Sequence, residues 1–420
     1  MEVWTANPED LPPREGDEVD RYKYQGLSVS RFRHNYAMAS GAANAVEAEY
    51  DNPLVRKQFA TFIAAARPDL VHFVHLGRLS ASPISACKDA GIPTVFTSTD
   101  FWFICPMYQL RLPNGVLCQG PDANGQNCVR HIAGRGNPKG IRLVLSRCPS
   151  WIVGIGAWAT RRSWWPEKRY SRLVKALVGR PGRILQLLNQ VDRVVVPSLL
   201  METFMVGHGI NPARIRRIPY GVTLQPAMAH TRRTSGGRLC LGFIGSLASH
   251  KGAHVLLGAV AGLATDAPVE VKLFGDPDEF PEYGGKLRRM AAADERISFK
   301  GTFPNERMAE VLAGIDALVV PSTWYENTPL VVYSAQAARI PVIASDVGGL
   351  SEAIEHEKSG LLFPMGDVGA LRAIIERILD DRSLLGELAL GAPTPPSMSQ
   401  YVDALESVYQ EALRGREQTS

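Results

Sequence analysis

Two charged side chains, Glu326 and Lys251, each lie between an apolar strand-like run and a helix-like run. Glu326 belongs to the polar stretch "STWYEN", and the next residues, Thr328 and Pro329, predict an N-cap and a first helical residue. The first turn of a helix offers unpaired N–H groups and a partial positive charge, so it can bind a phosphate without a metal ion. A carboxylate at Glu326 would accept hydrogen bonds from the hydroxyl groups of the same ligand.

Glycines near these charged residues predict tight turns of the backbone. The stretch "GFIGSLASHKG" places Gly242 and Gly245 in a turn and Lys251 at the start of the next helix. An ammonium group there could neutralise a diphosphate. Gly348 and Gly349 follow a later strand, where the backbone either approaches a ligand or only turns. Neither a G-x-G-x-x-G fingerprint nor a P-loop is present here.

The elements that must position these residues alternate regularly. Short apolar strands such as "LCLGFI" and "ALVVPS" are separated by helix-like runs, which predicts an α/β fold with parallel sheets covered on both faces. The first half repeats this alternation less regularly. We predict an amino-terminal domain, a polar linker, a second α/β domain and a last helix that packs back on the first domain. Their bounds are 1–222, 223–237, 238–395 and 396–420.

The overall composition fits a protein of two or three domains and excludes several classes. The chain has 420 residues, 45% hydrophobic content and a net charge of +4, which is too small to indicate a nucleic-acid partner. No apolar run approaches the ~20 residues that a membrane-spanning helix needs. The polar start is unlike a secretory signal, and six cysteines in such a chain favour reduced thiols, so we expect a cytoplasmic protein.

Four stretches together resemble the GT4 family of retaining glycosyltransferases, which have the GT-B fold. They are "GFIGSLASHKG", "FKGTF", "ALVVPSTWYENTPLVVYSAQAARIPVIASDVGGLSEAI" and "SGLLFP". The resemblance implies two doubly wound Rossmann-like domains that face each other across a cleft. It also implies metal-independent transfer of a sugar from a UDP- or GDP-linked donor to a hydroxyl acceptor, in polysaccharide or glycoconjugate assembly. No further cofactor is expected.

The resemblance also assigns roles to individual residues. Glu326 would hold hydroxyl groups of the donor sugar, Lys251 would bind the diphosphate, and backbone near Gly301 would meet the nucleobase. With Asp100, Glu326 and Lys251 are the candidate catalytic residues. The remaining donor-binding candidates are Gly245, Ser246, Asn327, Thr328, Pro329, Leu330 and Ser334.

Several positions depart from the family pattern. Ser334 replaces the second glutamate of the family's Glu-x7-Glu signature, Ser246 replaces an arginine, and Thr99 replaces a histidine. No first strand with a Gly-rich loop is evident before Asp51, and the chain starts near the second strand of the family with "EVWTA". The alternatives are therefore a catalytically impaired nucleotide-binding scaffold and a sugar-nucleotide epimerase of the same architecture.

Two histidines and one aspartate follow or belong to strands of the first half. His72 lies within a predicted buried strand and is expected to be a hydrogen-bonded core residue. His75 and Asp100 follow the ends of neighbouring strands, so either could face an acceptor.

Three cysteines and a histidine lie in a loop rich in Gly, Pro and Asn. Cys105, Cys118, Cys128 and His131, with the final C-x2-H spacing, suit a structural zinc ion that would clamp the loop. The other reading is cysteines without a metal. No catalytic metal is expected in either case.

The segment Arg161–Arg183 carries eight Lys or Arg residues and interleaved aromatic residues. This composition suits an anionic membrane surface, where lipid-linked acceptors reside, and predicts peripheral association with the inner membrane face. The alternative is a solvated basic helix. The expected partners are thus a nucleotide-sugar donor, a glycan or lipid-linked acceptor and this membrane surface, with no nucleic acid.

Overall fold

The protein is described by a computed structural model. It covers residues 1–6, 18–33, 45–77, 79–112, 114–122, 125, 127–129, 131–132, 149–161, 169–223 and 237–417. Of the predicted linker, only Thr223 and Gly237 lie within these ranges. Residues 162–168 of the basic segment lie outside them. The chain forms two compact units. The first comprises Met1–Val196, Met201–Arg217 and Leu405–Ser420, and the second comprises Pro197–Leu200 and Ile218–Ala404.

Two lists give the bounds of the elements in chain order. The amino-terminal half contains β1 (Glu2–Ala6), β2 (Glu18–Tyr24), β3 (Leu27–Arg33), α1 (Ala45–Ala48), α2 (Pro53–Ala66), β4 (Val71–Phe73), α3 (Ser82–Asp89), β5 (Thr94–Thr97), α4 (Ser150–Arg161), α5 (Arg169–Leu188), β6 (Arg193–Val196), α6 (Leu199–Gly207) and β7 (Ile215–Arg217). The carboxyl-terminal half contains β8 (Leu239–Ile244), α7 (Ala253–Ala261), β9 (Val269–Phe274), α8 (Pro281–Ala291), β10 (Ile297–Gly301), α9 (Met308–Ala313), β11 (Ala317–Val320), α10 (Leu330–Ala337), β12 (Val342–Asp346), α11 (Gly349–Ala353), β13 (Gly360–Pro364), α12 (Val368–Asp380), α13 (Ser383–Gly391) and α14 (Met398–Glu417).

The main sheet of the first unit has four parallel strands in the order β4-β5-β6-β7. The strands β5 and β6 consist almost wholly of buried residues, as expected for a sheet covered on both faces. His72 lies on β4, and its two ring nitrogens are each 2.8 Å from a hydroxyl, that of Thr97 and that of Tyr409. Burial lowers the pKa of His72 to about 4, so its imidazole is neutral at pH 7.

A small second sheet in the first unit includes the start of the chain. Its order is β1-β3-β2, with β1 parallel and β2 antiparallel to β3. Gln25 and Gly26 join β2 to β3, and their φ angles of 48° and 83° are those of a two-residue hairpin turn. Trp4 of β1 packs edge-on against Phe59 of α2, with ring centroids 4.9 Å apart. The stretch "EVWTA" is therefore a strand of this small sheet and is separate from the four-stranded sheet.

The end of helix α14 belongs to the first unit. Tyr409 contacts His72, and Glu411 accepts hydrogen bonds from Arg193 and Arg216, at 2.9 and 3.0 Å. These guanidinium groups lower the pKa of Glu411 below its usual value.

The second unit is a doubly wound domain with a six-stranded parallel sheet. Its strand order is β10-β9-β8-β11-β12-β13, so the chain moves outward in one direction from β8 and then in the other direction from β11. The hydrophobic core of this unit includes Leu241, Val319 and Ile343, which are completely buried. In open α/β sheets, ligands bind beyond the carboxyl ends of the strands where the order reverses, here between β8 and β11. The expected α/β fold class is confirmed.

Within the described ranges, no helix is both long enough and apolar enough to cross a bilayer.

Candidate active site

The loops that follow β8 and β11 pack directly on each other. The backbone N–H of Thr323 donates to the carbonyl of His250 at 2.7 Å. Gly252 has a φ of 76°, and a Cβ at this position would lie 1.8 Å from the carbonyl oxygen of Pro321. Only glycine fits such a close approach, and this contact brings Lys251 to Glu326.

The carboxylate of Glu326 is buried and receives several hydrogen bonds. Its Oε1 accepts from Ser322 Oγ at 2.7 Å, from Trp324 Nε1 at 2.8 Å and from Lys251 Nζ at 2.8 Å. Its Oε2 is 3.1 Å from Lys251 Nζ. Burial acts to raise the pKa of Glu326, but the Lys251 ammonium and these hydrogen bonds outweigh it and lower the pKa below 4.5. Glu326 is therefore ionised at neutral pH.

Lys251 is held by both the carboxylate and an aromatic ring. Its Nζ lies 4.9 Å from the centre of the Trp324 ring, within the range of a cation–π contact. The His250 ring packs edge-on against Trp324, with ring centroids 4.6 Å apart. Lys251 ends a short 3₁₀ turn, Ser249–Lys251, while the following helix starts at Ala253. The prediction that Lys251 opens the helix was therefore wrong by two residues, because Gly252 reverses the chain first.

The helix after Glu326 begins later than predicted. Pro329 occupies the N-cap position of α10, and no side chain caps this helix. Thr328 is not the N-cap, because its carbonyl accepts from the N–H of Leu330 at 3.0 Å in a tight turn. The Thr328 hydroxyl is buried and makes no hydrogen bond to the described part of the chain. In this first turn the N–H groups of Leu330, Val332 and Tyr333 already donate to the carbonyls of Thr328 and Pro329.

The other predicted donor-binding residues lie at the same edge of the second sheet. Gly245 directly follows β8, with a φ of 152°, and Ser246 comes next. Gly301 ends β10 and has a φ of 70°. The side chain of Asn327 accepts a hydrogen bond from Ser198 at 2.9 Å.

Ser334 is buried within α10, one turn after Leu330, which is half exposed. Its burial fits a packing role on this helix as well as a contact to a ligand.

The two glycines after β12 contact the Glu326 loop. The N–H of Gly349 donates to the carbonyl of Glu326 at 2.7 Å, and a Cβ on Gly349 would lie 2.4 Å from the carbonyl of Asn327. Gly348 has a φ of 56°. The close approach predicted for these glycines is therefore to the loop that carries Glu326.

Asp100, the third predicted catalytic residue, belongs to the first unit. Its Oδ2 is 3.1 Å from Nδ1 of His75, and its Oδ1 accepts from the N–H of Trp102 at 2.8 Å. The His75 ring also lies 3.4 Å from the hydroxyl of Thr99 and beside the ring of Tyr108. The structure thus brings His75 and Asp100 together at the carboxyl ends of β4 and β5.

Sequence reasoning missed Ser322 and Trp324 as members of the site. Both lie in "PSTWYEN", four and two residues before Glu326. The signal was the alternate spacing of Ser322, Trp324 and Glu326 in a loop, which allows three side chains to converge on one side of the backbone.

Among the described residues, no three His, Cys, Asp or Glu side chains are arranged so that they could hold a metal ion. Cys105, Cys118, Cys128 and His131 nevertheless line one cavity of the first unit.

The fold and the site define an α/β protein of the GT-B class, and comparison with known proteins gives the family. The model of the family described as "Glycosyl transferases group 1" matches residues 238–381. A D-inositol 3-phosphate glycosyltransferase of Corynebacterium efficiens is 33% identical over 307 residues, which are 65% of this chain and 72% of that protein. The chain belongs to the group 1 glycosyl transferases, which confirms the resemblance found in the sequence.

Other relatives are covered less completely. The protein of the same name from Corynebacterium diphtheriae is 30% identical over 54% of this chain. The chain spans 58%, 64% and 60% of the lengths of this protein and of its relatives from Corynebacterium urealyticum and Nocardia farcinica.

Solved structures share the fold at low sequence identity. Anabaena HepE, in a complex with UDP and glucose, aligns with a TM-score of 0.59 and 17% identity over 92% of this chain and 86% of HepE. A sucrose-phosphate synthase from Thermosynechococcus elongatus aligns with a TM-score of 0.59 and 18% identity over 96% of this chain and 87% of that protein.

Proposed function

We propose that the protein is a retaining glycosyltransferase that moves a sugar from a nucleotide-diphosphate sugar to a hydroxyl acceptor. The observation that carries this proposal is the ion pair of Lys251 with the buried Glu326, with Nζ–Oε1 at 2.8 Å, in the loops that precede α7 and α10. Both residues follow strands at the reversal point of the second sheet, where this class of fold binds its ligand.

The donor would lie across the loops after β8 and β11. Its diphosphate would face the positive end of the α10 dipole and accept a hydrogen bond from the third N–H of Lys251. Because Oε1 of Glu326 already accepts three hydrogen bonds, a sugar hydroxyl would bind at Oε2. Gly301, at the end of β10, would meet the nucleobase, and Ser334 would reach the ribose.

The reaction exchanges one C–O bond for another. The bond from the anomeric carbon to the phosphate oxygen breaks, and negative charge grows on the diphosphate while positive charge grows on the sugar ring. Lys251 and the dipole of α10 stabilise the leaving oxygen, and Glu326 orients the sugar. The acceptor oxygen attacks on the face from which the phosphate leaves, and its proton passes to the leaving phosphate.

We propose that UDP-linked sugars are the donors. HepE, which shares the fold, was solved with UDP and glucose. For the acceptor, the relatives named D-inositol 3-phosphate glycosyltransferase make inositol phosphate the first compound to test.

On the acceptor side, we propose that Asp100 acts with His75. The carboxylate holds the imidazole at 3.1 Å, and the imidazole is partly exposed, so it can bind a hydroxyl group of the acceptor. The substitutions His75→Gln and Asp100→Asn should reduce transfer to the acceptor while leaving the affinity for UDP unchanged.

Binding and turnover of the donor test the proposal. Calorimetric titration with UDP and GDP should show binding of one of them, and the matching sugar nucleotides should be consumed in the presence of an acceptor. Binding without turnover would favour the scaffold alternative, and turnover without an acceptor would favour the epimerase. Neither alternative receives support from the comparisons.

Peripheral membrane association and a role in polysaccharide or glycoconjugate assembly remain proposals. Within the basic segment, Arg180 is only 1% exposed and Arg183 pairs with Asp51 at 2.7 Å, so neither is available to a membrane. Sedimentation with vesicles of anionic phospholipid tests the rest of the segment. If the protein stays in the supernatant, the basic helix serves the fold alone.

A further inference from the structure

A small cavity in the first unit is lined by four side chains of the types that bind metal ions. They are Cys105, Cys118, Cys128 and His131. The cavity holds about 10 Å³, close to the space of a single water molecule or ion. Cys105 and His131 are each only 6% exposed, whereas Cys118 and Cys128 are partly exposed.

A buried positive charge, Arg180, lies within electrostatic reach of two of these cysteines. Arg180 is 1% exposed, and its Nε and Nη1 make no hydrogen bond within the described part of the chain. Its Nη2 donates to the carbonyl of Trp102, and its guanidinium lies 5.2 Å from the centre of the Trp102 ring. Cys105 and Cys128 are within electrostatic reach of this guanidinium, as are Glu49 and Tyr108. A buried charge is costly; Glu49 offsets part of this cost, and thiolates at the cavity would offset more of it.

We propose that Cys105, Cys118, Cys128 and His131 bind one structural zinc ion. Three thiolates and a neutral imidazole around Zn²⁺ carry a net charge of −1, which the nearby positive charge of Arg180 would stabilise. Zinc with a Cys₃His ligand set is a closed tetrahedral site, without an open position for catalysis.

The choice of zinc follows from the ligand types. Three sulfur ligands and one imidazole suit zinc rather than magnesium or calcium, which prefer oxygen ligands. Asn127 supplies a supporting contact, because its Nδ2 lies 3.8 Å from Sγ of Cys118. An N–H donor at a metal-bound sulfur stabilises the thiolate.

Metal binding requires a local rearrangement. In the structure the Cys118 thiol lies 3.5 Å from the carbonyl of Gly120, and the four groups surround the cavity without the convergence that a metal ion needs. Binding releases the thiol protons and turns each sulfur inward to about 2.3 Å from the zinc. The proposal is independent of the transferase activity.

Metal analysis of the purified full chain is the test. We expect about one zinc per chain by mass spectrometry after purification under reducing conditions without chelators. Cys118→Ser and Cys128→Ser should each lose most of this zinc. Cys87→Ala and Cys240→Ala, which replace buried cysteines that do not line the cavity, should keep it.

A second pair of variants separates ligation from misfolding. His131→Cys supplies a fourth thiolate and should retain zinc, whereas His131→Ala should lose it. Replacement of zinc by Co²⁺ should give the sulfur-to-cobalt charge-transfer absorption of a tetrahedral thiolate site. The proposal is overturned if the wild-type chain holds no zinc and takes up none when one equivalent is added. It is equally overturned if Cys118→Ser and Cys128→Ser keep the zinc of the wild type.

Discussion

At the scale of single residues, the site depends on how the Glu326 carboxylate is held. Oε1 accepts from Ser322, Trp324 and Lys251, so the side chain is fixed before any ligand binds. Such preorganisation is what a group needs if it is to orient a sugar without losing conformational entropy on binding. Ser322 and Trp324 therefore act through Glu326 and position it.

The substitution Glu326→Gln should lower kcat/KM for the sugar donor on the order of 100-fold, because a neutral amide is a weaker acceptor than a carboxylate for a hydroxyl group of the sugar. The affinity for the free nucleotide should change little. Steady-state kinetics and calorimetric titration with UDP measure the two effects. Glu355→Gln, in an exposed pair with Lys358, is the matched control and should behave as wild type. If the Glu326→Gln variant has the same kinetics as the wild type, Glu326 takes no part in the mechanism.

Trp324→Phe tests the positioning role, since it removes the Nε1 donor but keeps an aromatic ring near Lys251. Loss of a hydrogen bond to a charged group should weaken binding of UDP-glucose about 10-fold and leave binding of UDP unchanged. Trp151→Phe, at an exposed position, is the control. An equal loss of affinity for UDP and UDP-glucose would show that Trp324 serves the loop rather than Glu326.

At the scale of elements, the site is made by two loops that touch where the second sheet reverses its order. Gly252 allows the turn after β8 to lie against Pro321, which follows β11. Gly349 allows the turn after β12 to lie against Asn327. These glycines are therefore required by contacts between backbones, and both contacts fix the position of the Glu326 loop.

Replacing Gly252 by alanine should disrupt this loop contact. The new Cβ would lie 1.8 Å from the Pro321 carbonyl, and the residue would also keep an unfavourable φ of 76°. Gly366→Ala is a matched control, because Gly366 has a φ of 78° with no atom near the new Cβ. The control substitution should lower the free energy of unfolding by about 1 kcal/mol. Gly252→Ala should cost more and should also lower donor affinity, as measured by denaturation and calorimetry. Equal effects of the two substitutions would contradict this role of Gly252.

Much of the second unit could be predicted because its strands are short, apolar and regularly spaced. The positions of Glu326 and Lys251 after β11 and β8 followed from the same pattern. The pattern did not reveal that Pro329 takes the N-cap position, since a tight turn from Thr328 to Leu330 is invisible to helix propensities. The small sheet of β1, β2 and β3 was also missed, because its Gln25–Gly26 turn is a weaker hairpin signal than Asn-Gly.

At the scale of the whole molecule, the end of the chain completes the first unit. The last part of α14 supplies Tyr409 to His72 and Glu411 to Arg193 and Arg216. These residues are more than 190 positions apart in sequence, so sequence periodicity alone could not pair them. The contacts connect stability of the first unit to the protonation of one partly buried histidine.

The pKa of His72 is about 4 in the folded protein and near 6.5 in the unfolded chain. The free energy of unfolding therefore depends on pH between these two values. In this window the unfolded chain binds the proton and the folded chain does not, so stability is complete above pH 6.5 and falls as the pH is lowered. Between pH 7 and 4.5 the loss should be about 2 kcal/mol. Thermal unfolding midpoints across this range measure it. His72→Gln should be less stable at pH 7 but should flatten the pH dependence, because it removes the titrating group. A variant with the same slope as the wild type would assign the pH dependence to other residues.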